Sequence, residues 1–239
     1  MDWRDNGIVL GTRRHGENSA VAVLLTRGYG KHAGLVRGAT SKRMRALLQP
    51  GTEVDAKWRA RLEEHLGSYT LEPVHGHAAP LLTKPGPLAA LSAACTLVDL
   101  GLGEREPHPD LYDDMLALFR ALATPDWAAH YVAWEIALLA EFGFGLDLSR
   151  CAATGRNDQL AYVSPRTGRA VSLSAGEPYK DKLLPLPAFL TRAGAASAAD
   201  IAQGLKLTGH FLTRNVCAPH NRSLPDVRLR LAELVGREA

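Results

Sequence analysis

The chain has 239 residues, 46% of them hydrophobic, and a formal net charge of only +3. That apolar content is enough for a buried core and excludes a chain disordered throughout, while apolar runs such as Ala137-Leu138-Leu139-Ala140 are far too short to span a bilayer. Three widely spaced cysteines (Cys95, Cys151 and Cys217) imply no disulfide framework, and the polar start Met1-Asp2-Trp3-Arg4-Asp5 is unlike a secretory signal, so a reducing, cytoplasmic setting is expected.

In chain order, residues 1 to about 78 read as β-structure. Gly7 to Arg14 is a β-prone run ending in the turn His15-Gly16-Glu17-Asn18. Ser19 to Thr26 is a second strand, and Lys31 to Arg37 follows after the glycine-bearing turn at Arg27-Gly28-Tyr29-Gly30. Ser41 to Leu48 is a short helix with Met44, Leu47 and Leu48 on one side. Thr52 to Arg61 alternates through Val54, Ala56, Trp58 and Ala60, and Ser68 to Val74 is a fifth strand. Five short strands with a helix after the third match the order of an OB-type barrel. A cluster of His, Gly and Pro over 75–87 marks a boundary.

Beyond it the period becomes helical. Leu88 to Leu102, Leu111 to Leu122 and a segment from Asp126 to Phe142 each carry apolar residues at three- and four-residue steps, with Asp126 placed to cap the third. Residues 144–180 show turn signals and no period. Ser197-Ala198-Ala199-Asp200 has capping-box spacing and opens a late helix through Val216, and Leu224 to Val235 is a last amphipathic segment. The expected fold is α+β and multidomain: an OB-type barrel over residues 1–78, then a helical domain over 79–239 with an irregular insert at 144–180.

The charge is uneven. From Arg27 to Arg61 the net charge is +7, and the rest of the chain sums to −4. Such asymmetry points to a phosphate-bearing partner, against the alternative of a solvated charged surface. The candidate DNA contacts are Arg13, Arg14, Arg27, Lys31, Arg37, Lys42, Arg43, Arg45, Lys57 and Arg59, with Tyr29, His32 and Trp58 interleaved for stacking on bases. Trp58 shares its alternation with Val54, so core packing and stacking both stay open for it. Gly28 to Gly34 lacks the Gly-Lys-Ser/Thr and following helix of a phosphate loop and reads as a hairpin turn. No catalytic constellation assembles: His75 and His77 are two ligands at most, Asp113 and Asp114 diverge on a helix, and His210 reads as structural. No enzyme activity and no metal are expected.

The whole chain resembles the RecO family of bacterial recombination mediators. The resemblance rests on Asp5-Asn6-Gly7-Ile8-Val9-Leu10 with Gly16-Glu17-Asn18-Ser19. It rests further on Gly38-Ala39-Thr40-Ser41-Lys42-Arg43 with Leu48-Gln49-Pro50-Gly51, on Leu146-Asp147-Leu148-Ser149-Arg150-Cys151 with Ser164 to Val171, and on Asn221-Arg222-Ser223-Leu224-Pro225. It implies an N-terminal OB fold, a helical body, binding of single- and double-stranded DNA, strand annealing, a nucleoid-associated location, and partnership with RecR and with single-stranded-DNA-binding protein in loading RecA. Family members with zinc carry two Cys-x-x-Cys pairs in the insert. The matching positions here are Cys151, Thr154, Ser172 and Ala175, so zinc is expected to be absent and Leu160, Tyr162, Val163, Val171 and Leu173 to hold the insert by packing. An acidic, apolar-ended tail of the single-strand-binding protein would want a basic rim, for which Arg214, Arg222, Arg228 and Arg230 are candidates around Leu212 and Leu229. The competing readings are a nucleotide- or nucleic-acid-processing enzyme and an OB adaptor that contacts only proteins.

Overall fold

Alternation of apolar and polar residues, the period of a half-buried strand, is clear in Thr52–Arg59, whereas Ser19–Thr26 is apolar almost throughout; both belong to a set of five strands. These are β1 (Asp2–His15), β2 (Ser19–Thr26), β3 (Gly30–Arg37), β4 (Thr52–Arg59) and β5 (Ser68–Gly76), with the helix α1 (Lys42–Leu47) after the third. In this computed structural model, which describes residues 1–62, 64–192 and 194–237, they close into a barrel in the order β1-β2-β3-β5-β4. Four junctions are antiparallel. The fifth, between β3 and β5, is parallel and made by the single pair Leu35 and Ser68. This is the barrel and helix order expected from the sequence.

Inward-facing Val9, Ala22, Leu24, Val36, Val54, Ala56, Trp58, Tyr69 and Leu71 fill the barrel. Trp58 is 1% exposed, and its Nε1–H donates to the Leu66 carbonyl at 3.0 Å. It is therefore a core residue with its polar atom satisfied. Four consecutive residues of β1, Gly7 to Leu10, are buried, because there both faces of the strand are covered. The outer cover comes from α2 (Pro85–Gly101), whose Ala89, Ala90, Ala93 and Ala94 are small enough for close approach. Gly51, at φ +79°, sits where a Cβ would lie 2.6 Å from Leu91 of α2. With α3 (Pro109–Ala121), these elements make one compact unit, Met1–Ala123. Strand periodicity gives way near residue 78, but the two helices that pack with the strands extend that unit beyond it.

The second unit, Thr124–Ala239, begins with α4 (Trp127–Glu141). Segment 144–180 is irregular up to Gln159, as expected, and takes regular form only beyond it. That later part folds as β6 (Leu160–Val163), β7 (Ala170–Ser172) and the single turn α5 (Leu173–Gly176), and β8 (Leu184–Pro185) joins to give a sheet of order β7-β6-β8. Strands of two to four residues carry too little period to read. Leu160 and Val163 are buried as expected, Tyr162 and Val171 are half-buried, and Leu173 is exposed and holds nothing.

Then come α6 (Ala198–Phe211), a π-helical segment (Leu212–Cys217) and α7 (Asp226–Gly236). The capping box forms: Ser197 Oγ accepts the Asp200 N–H at 3.1 Å, and Asp200 Oδ2 accepts the Ser197 N–H at 3.0 Å. Asp126 stands at the N-cap of α4, but its side chain makes no capping bond. Helices α4, α6 and α7 meet around a buried ion pair, Glu135 with Arg228, at 0% and 1% side-chain exposure. Among the described residues no helix is long and apolar enough to cross a membrane.

Candidate nucleic-acid interface

The basic window of the sequence divides in space into two exposed groups and two residues held by the protein itself. The larger group gathers where the β1–β2 turn meets the β3–α1 loop. Asn18 joins them: its carbonyl accepts the Ala39 N–H at 3.0 Å, and its Oδ1 accepts the Thr40 hydroxyl at 3.1 Å. Helix α1 starts at Ser41, whose Oγ accepts the Met44 N–H at 3.3 Å. Leu47 is buried and Met44 packs against the barrel core, so Lys42, Arg43 and Arg45 face solvent. Arg37 ends β3 in register with Ser19, which is itself opposite His15. Arg13 and Arg14, at the end of β1, are also exposed. Arg14 and Arg45 line one groove of about 250 Å³ floored by Ala20, Ala39 and Leu48. Among the described residues no ion pair holds Arg13, Arg14, Arg37, Lys42, Arg43 or Arg45. Six exposed cations thus lie on neighbouring turns, outnumber Glu17 of the β1–β2 turn and have no ion pair among the described residues, which favours attraction of a polyanion.

Lys57 and Arg59 form the second group. They flank the inward-facing Trp58 on β4 and point to solvent, in register with Arg4 and Asp2 of β1. Arg4 and Arg14 stand near opposite ends of β1, roughly 30 Å apart along an extended strand. Arg4 forks onto Asp55, with Nε 2.8 Å from Oδ1, and this hydrogen bond and charge raise the guanidinium's pKa and lower that of the carboxyl.

Two candidates leave the list of free cations. Lys31 is 9% exposed, and its ammonium donates to the Asp99 carbonyl at 2.7 Å near the end of α2. Arg27 is paired with Asp113, with its guanidinium 6.0 Å from the centroid of the Tyr112 ring. His32, listed with the stacking candidates, is 3% exposed.

In the insert, Cys151 and Ser172, two of the four positions matching the metal pairs, do come together. Cys151 is fully buried; its Sγ lies 3.4 Å from Ser172 Oγ and accepts the Ser172 N–H at 3.2 Å. Burial pushes the thiol's pKa up, but hydrogen bonds from Ser172 and Thr154 outweigh it and hold the pKa at about 6. One thiol beside two hydroxyls does not fit a structural zinc, which needs four N, S or carboxylate ligands. Among the described residues no three His, Cys, Asp or Glu side chains gather as a metal centre.

The basic rim proposed for the C-terminal helices is corrected in two places, at Arg228 and at Leu212. Arg228 is buried, donating to Glu135 from Nε at 2.5 Å and from Nη2 at 2.8 Å, and to the Leu205 carbonyl at 2.9 Å. Burial pulls its pKa down, yet the Glu135 carboxylate more than reverses this and leaves it above the usual arginine value. Leu212 is fully buried and lines no groove. Arg214 is tied to the β6–β7 turn, with Nη1 donating to the Arg166 carbonyl at 3.0 Å. Arg222, Arg230 and Leu229 are exposed, as expected.

These features define a class: a two-unit α+β protein whose N-terminal OB-like barrel carries an exposed basic end. Sequence comparison makes the identification specific. A family model described as "Recombination protein O N terminal" matches residues 1–77, and one described as "Recombination protein O C terminal" matches residues 84–225. The chain is 60% identical to "DNA repair protein RecO" of Rhodospirillum centenum, with 98% of this chain and 94% of that protein aligned. It is 51% identical to the protein of the same description from Rhodospirillum rubrum (99% and 97% covered) and 49% identical to that from Cereibacter sphaeroides (99% of each). The chain belongs to the RecO family of DNA repair proteins, which gives it a role in DNA repair and recombination.

Proposed function

We propose that the chain is a non-enzymatic, cytoplasmic and nucleoid-associated recombination mediator that works without zinc. It binds single- and double-stranded DNA through the basic end of its barrel and anneals complementary strands. With RecR it helps load RecA onto single-stranded DNA coated by its binding protein. The observation that carries the reading is the group Arg13, Arg14, Arg37, Lys42, Arg43 and Arg45, exposed and with no ion pair among the described residues. Family membership supports the repair context.

Phosphate neutralisation releases counterions, so affinity must fall with salt. Replacing Lys42, Arg43 and Arg45 together with Ala is expected to flatten the slope of log affinity against log salt by up to about three contacts, roughly 0.7 to 0.9 each. The same variant should anneal strands coated by single-stranded-DNA-binding protein more slowly. An unchanged slope would remove α1 from the contact surface, and absence of DNA binding at low salt would favour an adaptor that contacts only proteins. A binding-protein tail peptide that titrates equally onto the parent and onto Arg222→Ala with Arg230→Ala would discard the remaining C-terminal rim.

A further inference from the structure

Near the start of β1 the barrel core continues outward as a stack of rings. Trp58 is its buried base. Trp3, opposite Trp58 in the β1–β4 register, lies over it with centroids 5.8 Å apart and planes 17° apart. Tyr29, in the β2–β3 turn, lies on Trp3 at 4.5 Å and 9°. His32 and Tyr69 close on Trp3 edge-on at 5.1 and 5.9 Å. Three nearly parallel rings therefore lead from core to solvent, and the last, Tyr29, is 42% exposed.

The turn that presents Tyr29 is fixed. Its N–H donates to Thr26 Oγ1 at 3.2 Å, and Gly30, at φ +65°, sits where a Cβ would overlap the Glu106 carbonyl. A cleft of about 470 Å³ opens beside the rings, with Arg105 at its wall. The guanidinium of Arg105 donates to the His65 carbonyl at 3.1 Å, and its backbone N–H to the Lys31 carbonyl at 2.8 Å. A second groove of about 390 Å³ shares Asp2 and Trp3 with this cleft and is lined further by Arg4, Asp55, Lys57, Thr70 and Glu72.

An aliphatic ligand or an apolar helix would want a broad greasy wall. A flat π-face held ready at the end of a ring stack instead suits a flat aromatic heterocycle such as a nucleic-acid base. We propose that this cleft is a subsite for an unpaired base of single-stranded DNA, which extends the ring series at the exposed face of Tyr29. The proposal rests on the DNA-binding reading above and adds a second, base-contacting site away from the α1 cluster.

The test compares two labelled oligonucleotides of equal length, oligo(dT) and the same backbone without bases, titrated into the full chain at fixed low salt and followed by anisotropy. The parent should prefer oligo(dT) by about five- to a hundredfold, the span expected for one stacked base. Tyr29→Ala should abolish the preference, and Tyr29→Phe should keep it. Oligo(dT) should quench tryptophan fluorescence in the parent, and Trp3→Phe should lose most of that quenching. Equal affinity of the parent for both strands, a preference that survives Tyr29→Ala, or quenching unaltered in Trp3→Phe overturns the base subsite and leaves DNA binding standing. No binding of either strand overturns both.

Discussion

The buried pair Glu135–Arg228 gives the sharpest test of what holds the second unit together. Both side chains are almost wholly inaccessible, and two charge-assisted hydrogen bonds join them, at 2.5 and 2.8 Å. Thr208 Oγ1 adds a third contact to Glu135 at 2.5 Å. Glu135→Leu strands a guanidinium in the junction of α4, α6 and α7, and Arg228→Met strands a carboxylate there. Two lost charge-assisted bonds at about 1.5–3 kcal/mol each agree with the roughly 3–5 kcal/mol cost of breaking a buried pair. Against a total stability of about 5–15 kcal/mol, either single change should lower the urea midpoint severely. The double variant Glu135→Leu, Arg228→Met removes both charges, and Thr208 keeps an acceptor in the Gly204 carbonyl at 3.1 Å. It should lie within about 2 kcal/mol of the parent, so the cycle should give a coupling of about 4 kcal/mol or more. Urea unfolding followed by the fluorescence of Trp127 and Trp134 would measure it. Single variants costing less than about 1 kcal/mol, or a double variant as damaged as the sum of the singles, would refute the reasoning.

Other predictions separate structural from contacting residues. Lys31→Met loses the ammonium bond to the Asp99 carbonyl and should cost about 1.5–3 kcal/mol in stability, with no change in the salt slope of DNA binding. Gly34→Ala would place a Cβ 2.5 Å from the Tyr69 ring, and overpacking of about 1–3 kcal/mol should appear as a lower melting midpoint. His77 has its pKa lowered by burial and by His75, against opposing effects of Glu53. The unfolded chain therefore takes up that proton first, so stability should fall as pH drops from about 6.5 through the lower folded value. His77→Gln should flatten this part of the profile in urea titrations run between pH 7 and 5.

The barrel was legible because its strands are β-prone runs, apolar or alternating, and each turn carries a glycine. The first residues of β1 were not, since Asp2, Arg4 and Asn6 are polar positions whose partners on β4 lie about fifty residues away. Trp3 was overlooked for the same reason, although a tryptophan at the head of a β-prone run is a signal that could have been used. The burial of Arg228 was also readable: Arg228, Leu231 and Val235 share one face of α7 at steps of three and four, and Glu135 falls between Tyr131 and Leu138 in the same way. A charge on the core stripe of each of two helices, opposite in sign, predicts the pair. Nothing in the local sequence marks Lys31 as structural, because its acceptor is 68 residues away. The exposed basic cluster could be read as composition, but its gathering into one place depends on Asn18, whose two hydrogen bonds join distant turns.

The parallel contact of β3 with β5 has a consequence for association. Every other junction of the barrel is a ladder, whereas this one rests on the pair Leu35–Ser68, the Leu35 N–H to Gly67 carbonyl bond at 3.1 Å, and Tyr69, whose hydroxyl donates to the His32 carbonyl at 3.2 Å across the gap. A cylinder fastened at so few points is a sheet with two edges held shut. Were it to come open, β3 and β5 would each bare unpaired backbone groups, the template on which separate chains join edge to edge. Tyr69 and the glycine beneath it thus guard the solubility of the barrel as well as its shape.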